Sequence, residues 1–491
     1  MVRAFDRVQE HYKLVLVDAN AGTAKTIRER DGSDGWLDPV SSHGDLIYYI
    51  SGTDTYLEIS DEDGWAHFYL RPISGGDGTQ ITKGKWEVVS LLNIDVKKKL
   101  IYYVSTERHS TEKHIYSISF SGTNKVALVD TTKPGVWAAS FSALGGYYIL
   151  SYNGPELPWQ KLQATDKKTA IRTINDNAVL AARLANYELP KVSWFEVKHP
   201  DGYSFNVMQR LPPGFDKTKK YGLLFDPYGG PDSQYTAKTF RQVDWRAYMA
   251  SDPDLEYIIL TVDNRGTSYK GREFRSTVAR QLGKLEPQDQ TFVASWYLKN
   301  NAFADANHVA IMGWSYGGYL AAKTVELNAG VFTFAIITAP VSDWKFYDSM
   351  YTERYNKKLT TNAQGYAETA VRNVTGFKNI RGGFLIQHGT GDDNVHFQNA
   401  AVLVDTLTVG GVGPKNFHTQ WFTDATHNIN VRGQTTLVYK QMARYLWLEK
   451  QRKEGEAAHQ FDKRMFLEGQ MGPRGIDFDE DVKEVQYAKL A

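Results

Sequence analysis

Cysteine does not occur anywhere in this 491-residue sequence. Its absence removes thiol nucleophiles, disulfide frameworks and cysteine-based zinc sites together, and leaves the redox compartment unreadable. An excess of charge is missing too. With 57 basic and 56 acidic residues the net charge is +1, so there is no electrostatic footprint for nucleic acid or for an anionic membrane. No apolar run reaches membrane-spanning length, and the start, Met1-Val2-Arg3-Ala4-Phe5-Asp6-Arg7, lacks the apolar core of a signal peptide. What is present is a long chain, 42% apolar, enough for about two or three domains.

Its most informative stretch is Gly313-Trp314-Ser315-Tyr316-Gly317, between the apolar His308-Val309-Ala310-Ile311-Met312 and the helix-forming Tyr319-Leu320-Ala321-Ala322-Lys323-Thr324-Val325-Glu326-Leu327. A serine on a tight strand-to-helix turn projects its hydroxyl from the sheet edge, and flanking glycines make room for the strained backbone. Alone, this pattern also describes a glycine-bracketed surface turn. The strand before it and the helix after it make it a nucleophile elbow, which predicts acyl transfer.

Residues 1 to about 155 read as short aromatic and β-branched strands broken by Gly, Asp, Ser and Lys clusters. Trp36, Trp86 and Trp137 recur at intervals of 50 and 51 residues, and Leu46-Ile47-Tyr48-Tyr49-Ile50, Leu100-Ile101-Tyr102-Tyr103-Val104 and Tyr147-Tyr148-Ile149-Leu150 follow them in turn. Such a period predicts β-propeller blades, with room for about three, against an alternative aromatic-rich sandwich. Beyond Gly154-Pro155 and a helical candidate at 178–184, apolar strands alternate with longer helical segments. These strands lie at 222–225, 257–262, 309–312, 334–337 and 384–386. That alternation predicts a doubly wound, mostly parallel sheet. The expected division is therefore an incomplete propeller over 1–155, an α/β-hydrolase domain over 156–450, and a charged, solvated, partly disordered tail over 451–491.

A serine needs a base, and the base needs an acid to fix its tautomer. In α/β-hydrolases the chain order is Ser, acid, His. Of the histidines after Ser315, His388 lies inside a strand end and precedes any acid beyond it, and His418 opens the strand 418–422. His427 follows that strand's C-terminal end, at the edge where catalytic groups gather. Asp392 and Asp393 both emerge beyond the strand 384–386, and spacing leaves either as the orienting acid. The same loop could instead cap the helix that begins near Phe397. Oxyanion donors are expected from the Tyr316 N–H and from the loop Asp226-Pro227-Tyr228-Gly229-Gly230-Pro231, where Tyr228 offers a phenol.

The motifs Gly313 to Tyr319, Ala339-Pro340-Val341-Ser342-Asp343-Trp344, Tyr351-Thr352-Glu353-Arg354-Tyr355 and His388-Gly389-Thr390-Gly391-Asp392-Asp393-Asn394-Val395-His396-Phe397-Gln398 together resemble the dipeptidyl peptidase IV family of the prolyl oligopeptidase clan. Lys83-Gly84-Lys85-Trp86-Glu87-Val88 resembles that family's propeller, and the likeness runs from about residue 30 to about 448. The resemblance implies Ser315 as nucleophile, Asp392 as the acid, His427 as general base and Tyr228 as an oxyanion donor. It implies a proline pocket walled by Val341, Trp344, Tyr347, Tyr351, Tyr316 and Val395, with Asn394 holding the carbonyl of the penultimate residue. It also implies peptide substrates with a free amino terminus and penultimate proline, a homodimer, a secretory or vacuolar route, and no cofactor or metal. Asn373-Val374-Thr375 would be a glycosylation acceptor on that route.

Two departures stand out. The family grips the substrate's amino terminus with two adjacent glutamates on a propeller helix, and this sequence has no Glu-Glu dipeptide. The likeness starts midway through the propeller, so that segment and the family's membrane anchor are expected to lie outside this chain. Asn428 stands where the family usually has glycine. The expected function is a serine exopeptidase releasing Xaa-Pro or Xaa-Ala dipeptides. The alternatives are a general esterase or endopeptidase of the same fold, and a non-catalytic interaction protein, against which the intact Ser315, Asp392 and His427 argue.

Overall fold

The computed structural model describes residues 1–37, 47–167, 169–241, 243–413 and 415–456. Leu46 of the strand candidate 46–50 and the tail from 457 onwards lie outside these residues.

The N-terminal part is built from four antiparallel sheets in chain order, one of three strands (2–31) and three of four strands (47–80, 88–127 and 137–175). Four sheets stand where the tryptophan interval predicted about three, because the first begins at Val2 and the last runs on to Asn175, beyond the stretch that the interval was read over. In the last sheet, strand Tyr147–Tyr152 alternates as its pattern requires: Tyr148, Leu150 and Tyr152 are buried and Tyr147 and Ile149 are exposed. Trp36 leaves the expected period altogether. It lies in the core of the C-terminal part, with its indole donating to Asp232 at 2.9 Å and its ring edge-on to Tyr355. Position 155 falls between the second and third strands of the last sheet, so the expected 155/156 boundary cuts through one blade. We place the division between Asn175 and Lys191, across the helix Ala178–Leu184.

The C-terminal part holds an eight-stranded sheet: β1 (Lys191–Lys198), β2 (Ser204–Leu211), β3 (Tyr221–Phe225), β4 (Ile258–Asp263), β5 (Ala304–Trp314), β6 (Phe334–Thr338), β7 (Phe384–Gly389) and β8 (Phe417–Phe422). The spatial order is β1-β2-β4-β3-β5-β6-β7-β8, with β1, β2 and β4 paired antiparallel and the rest parallel. The central strands are apolar over their middle residues because helices cover both faces. Their side chains alternate between two cores. Leu223, Phe225, Val309, Ile311, Ala335, Ile337 and Ile386 face one, under the helices Leu285–Asn300, Tyr316–Glu326 and Gln398–Val409. Leu224, Ala310, Met312, Ile336 and Leu385 face the other, under Trp245–Ser251 and Gln434–Gln451. Since β5 to β8 are parallel, the loops after β5, β7 and β8 all open at one edge.

Arg452, at the start of the expected tail, is not solvated but pairs with Glu449 of the last helix. Arg452 and Glu449 are both buried and paired at 2.8 Å, and the Thr333 hydroxyl also donates to Glu449 at 2.6 Å. A carboxylate and a guanidinium that satisfy each other can be buried where neither could be alone.

Candidate active site

Ser315 sits between β5 and the helix Tyr316–Glu326 with φ 62° and ψ −122°, a strained conformation for a residue with a side chain. The turn is held because its neighbours have no side chains. A Cβ on Gly313 would come within 2.1 Å of the Gly317 carbonyl oxygen, and one on Gly317 within 2.6 Å of the Pro227 carbonyl oxygen. The Ser315 N–H donates to the Thr338 carbonyl at 2.9 Å, tying the elbow to β6.

Asp392 and His427 come together at the same edge, 2.7 Å apart between Oδ2 and Nδ1. Asp393 is exposed and turned to solvent, so of the two acids left open by spacing it is Asp392 that meets the histidine. The Asp392 side chain has no exposure to solvent, and its Oδ1 accepts the N–H groups of Asn394 (3.0 Å) and Val395 (2.9 Å). Burial pushes this carboxyl up, but hydrogen bonds from His388 and His427 outweigh it and hold it down at about 2. The bond to Asp392 occupies Nδ1 of His427 and leaves Nε2 for chemistry. The Trp314 indole donates to the His427 carbonyl at 2.9 Å and steadies that loop.

Ser315, His427, Tyr228 and Asn394 line one cavity of about 420 Å³, together with Trp314, Tyr439 and Asn428. Tyr228 is in hydrogen-bonding contact with Ser315, and burial, reinforced by Tyr235 and Tyr347, pushes its phenol up to about 12. It therefore keeps its proton at neutral pH and remains a donor. Beside it the aromatic residues form a continuous wall. Trp344 stacks on Tyr351 at 14° and meets Tyr347 edge-on, and Tyr316 packs on both Trp344 and Tyr228. Val341 and Val395 are buried in the region, and the Tyr347 hydroxyl donates to Asn394 Oδ1 at 2.8 Å.

Three neighbours were not read as part of the site. The buried Glu286 accepts from the Tyr316 hydroxyl at 2.6 Å and from the Gly283 N–H at 3.0 Å, and burial pushes its carboxyl up to about 7. Tyr235 stacks on Tyr228 at 8°. His388 lies 3.2 Å from Asp392. Nothing local in the sequence signals Glu286 or Tyr235, since their partners are brought by other elements. His388 carried a signal, its place at a strand end four residues before Asp392, the same place that rules it out as the base.

Residues 241–454 match the prolyl oligopeptidase family, and residues 1–159 match the dipeptidyl peptidase IV N-terminal region. A dipeptidyl peptidase 4 of Trichophyton equinum is 54% identical over 465 residues, covering 94% of this chain and 60% of that protein. Another from Arthroderma otae is 53% identical over the same coverage. The crystal structure of Porphyromonas gingivalis dipeptidyl peptidase 4 superposes with a TM-score of 0.83 at 29% identity, covering 91% of this chain and 61% of that one. This chain thus spans about 60% of the length of these curated relatives.

Proposed function

This chain belongs to the dipeptidyl peptidase IV family, and from that premise we propose that it releases dipeptides from the amino termini of peptides, with proline or, less well, alanine in second place. The observation that carries this reading is the convergence of Ser315, His427 and Tyr228 on one cavity beside an aromatic slot. In this mechanism His427 Nε2 takes the proton of Ser315 Oγ as the oxygen attacks the scissile carbonyl. The tetrahedral oxyanion receives hydrogen bonds from the Tyr228 hydroxyl and the Tyr316 N–H. Asp392 keeps its charge and stabilises the imidazolium. His427 then gives its proton to the departing amine, the C–N bond breaks, and water enters by the same steps in reverse to free the dipeptide from Ser315. The slot walled by Val341, Trp344, Tyr347, Tyr351, Tyr316 and Val395 favours the flat pyrrolidine ring, and Asn394 holds the preceding carbonyl.

One observation favours weaker selection for a free amino terminus. Asp226 is the only carboxylate among the described residues lining the cavity, and it is ion-paired to Arg246. The second reading is accordingly a hydrolase of the same fold that also accepts blocked substrates. In the family reading the protein is a homodimer, and Asn373, exposed at the surface, carries a glycan on a secretory route. Among the described residues no helix is long and apolar enough to cross a membrane.

The deciding assay is the cleavage of a chromogenic Gly-Pro amide with a free amino terminus against the same amide blocked, with Ser315→Ala as control. Cleavage of the free form that is lost in the variant supports the peptidase. Equal cleavage of both forms supports the second reading, and cleavage untouched by Ser315→Ala overturns the role of the serine.

A further inference from the structure

His388 is the last residue but one of β7, fully buried, with its ring edge-on to Phe397 at 5.8 Å. Its Nε2 lies 2.7 Å from the Val395 carbonyl oxygen and 3.2 Å from Asp392 Oδ2. Both of these neighbours only accept, so the ring proton must sit on Nε2. Nδ1 is buried and meets no hydrogen-bond partner among the described residues, which leaves no acceptor for a second proton.

A carboxylate has about four lone-pair sites. In Asp392 the Oδ1 pair is taken by the N–H groups of Asn394 and Val395, and one Oδ2 site by His427. The Nε2–H of His388, shared with the Val395 carbonyl, faces the fourth at 3.2 Å. We infer that His388 is a positioning residue of the proposed reaction: a neutral donor that locks the Asp392 carboxylate in the plane from which Oδ2 orients His427. The inference rests on the acyl-transfer reading of the site.

The identity of the side chain matters physically. A lysine or arginine here would neutralise Asp392 and compete with the imidazolium that the acid must stabilise when Ser315 loses its proton. An apolar residue would leave Oδ2 with His427 as its one donor, so that only the two backbone N–H groups on Oδ1 would resist a tilt of the carboxylate out of that plane. A neutral imidazole fixes geometry without cancelling charge. It also ties the acid to the Val395 carbonyl, so the acid loop and one wall of the slot share an anchor.

The test compares His388→Gln, which keeps an N–H near the Nε2 position, with His388→Leu. Both are checked for a parent-like melt and circular dichroism, and kcat and KM are measured on the Gly-Pro amide. In parallel, the full chain with 15N-labelled histidine is examined by NMR for the His388 tautomer and for the downfield Nδ1 proton of His427. Expected are an Nε2-protonated His388 and, in His388→Leu, a kcat about tenfold to a hundredfold lower with KM within about threefold. The downfield proton should shift or broaden in His388→Leu, and His388→Gln should recover both properties. A purely packing role would instead leave that proton in place and lower both variants alike. An Nδ1-protonated His388, an undisturbed downfield proton in His388→Leu, or failure of His388→Gln to recover would overturn the inference. Should the parent show no Ser315-dependent cleavage, the functional reading fails by itself, and the two NMR signatures still decide the role of His388.

Discussion

Asp392 is held ionised by its donors although buried, so its folded-state value lies below the ordinary 3.8. As pH falls the unfolded chain takes up the proton first. The carboxylate's contribution to stability is therefore complete above about pH 4 and lost between about 4 and about 2. Asp392→Asn should leave the fold intact and lower kcat by about four orders of magnitude, because the amide favours the wrong tautomer of His427; steady-state kinetics beside a thermal melt checks this. Glu286 has the opposite sign. Its folded-state value is raised to about 7 from 4.5, so the folded state holds a proton that the unfolded state has released, and stability declines as pH rises from about 4.5 to about 7. The cost of ionising it reaches on the order of 3 kcal/mol. Glu286→Gln should melt within error of the parent at pH 5 and several degrees above it at pH 8, and a melt of parent-like pH dependence would refute the assignment. Of these two carboxyls only Asp392 was legible beforehand, since it sits in a loop after a recognisable strand, whereas Glu286 reads as an ordinary first-turn helix acid.

Among the elements, the strands β3 to β7 were visible as apolar runs because their central residues are covered on both faces and buried. β1 and β2 went unread. β1 lies at the sheet's edge with an exposed lysine at each end and mostly half-buried residues between them, and such mixed strands carry little periodic signal. The elbow between β5 and its helix was legible because its glycines are a local steric requirement. Gly313→Ala places a methyl group against the Gly317 carbonyl, where only backbone can yield. It should cost about 1–3 kcal/mol by overpacking and displace Ser315, so that a differential melt and the Gly-Pro amide rate fall together. A stable variant with parent-like activity would show that the turn relaxes elsewhere.

Across the whole molecule, the blades dock on the catalytic part through charges centred on the buried Arg272 and Arg275. Arg272 reaches Asp34, the Trp36 carbonyl at 2.9 Å and Asp61 at 2.9 Å, and Arg275 also pairs with Asp61. Burial pushes the Asp61 carboxyl up, but the pull of Arg275, Arg272 and Arg30 is greater and holds it well below the usual carboxylate range. Arg272→Ala removes one of three guanidiniums on Asp61 and leaves Arg275 and Arg30 in place, so it should destabilise by about 1.5–3 kcal/mol through the lost charge-assisted hydrogen bonds. Calorimetry should then resolve a separate, lower transition for the blades; a single unshifted transition would mean that Trp36 and its apolar contacts carry the docking.

Sequence alone determined what depends on near neighbours along the chain: blade-like strands followed by an α/β sheet, a serine on a strand-to-helix turn, and an acid and a histidine in loops after later strands. These follow from side-chain period, turn sterics and chain order, which act within one element or at its end. Tertiary structure decided what depends on approach across the chain. It brought Asp392 rather than Asp393 to His427, 35 residues on, and set His388 on the same carboxylate. It drew Trp36 out of the blade period to Asp232, 196 residues away, and buried Arg452, the second residue of the expected tail, against Glu449. Each of these is settled by packing and by the need to satisfy buried polar groups, and neither leaves a periodic trace in the sequence.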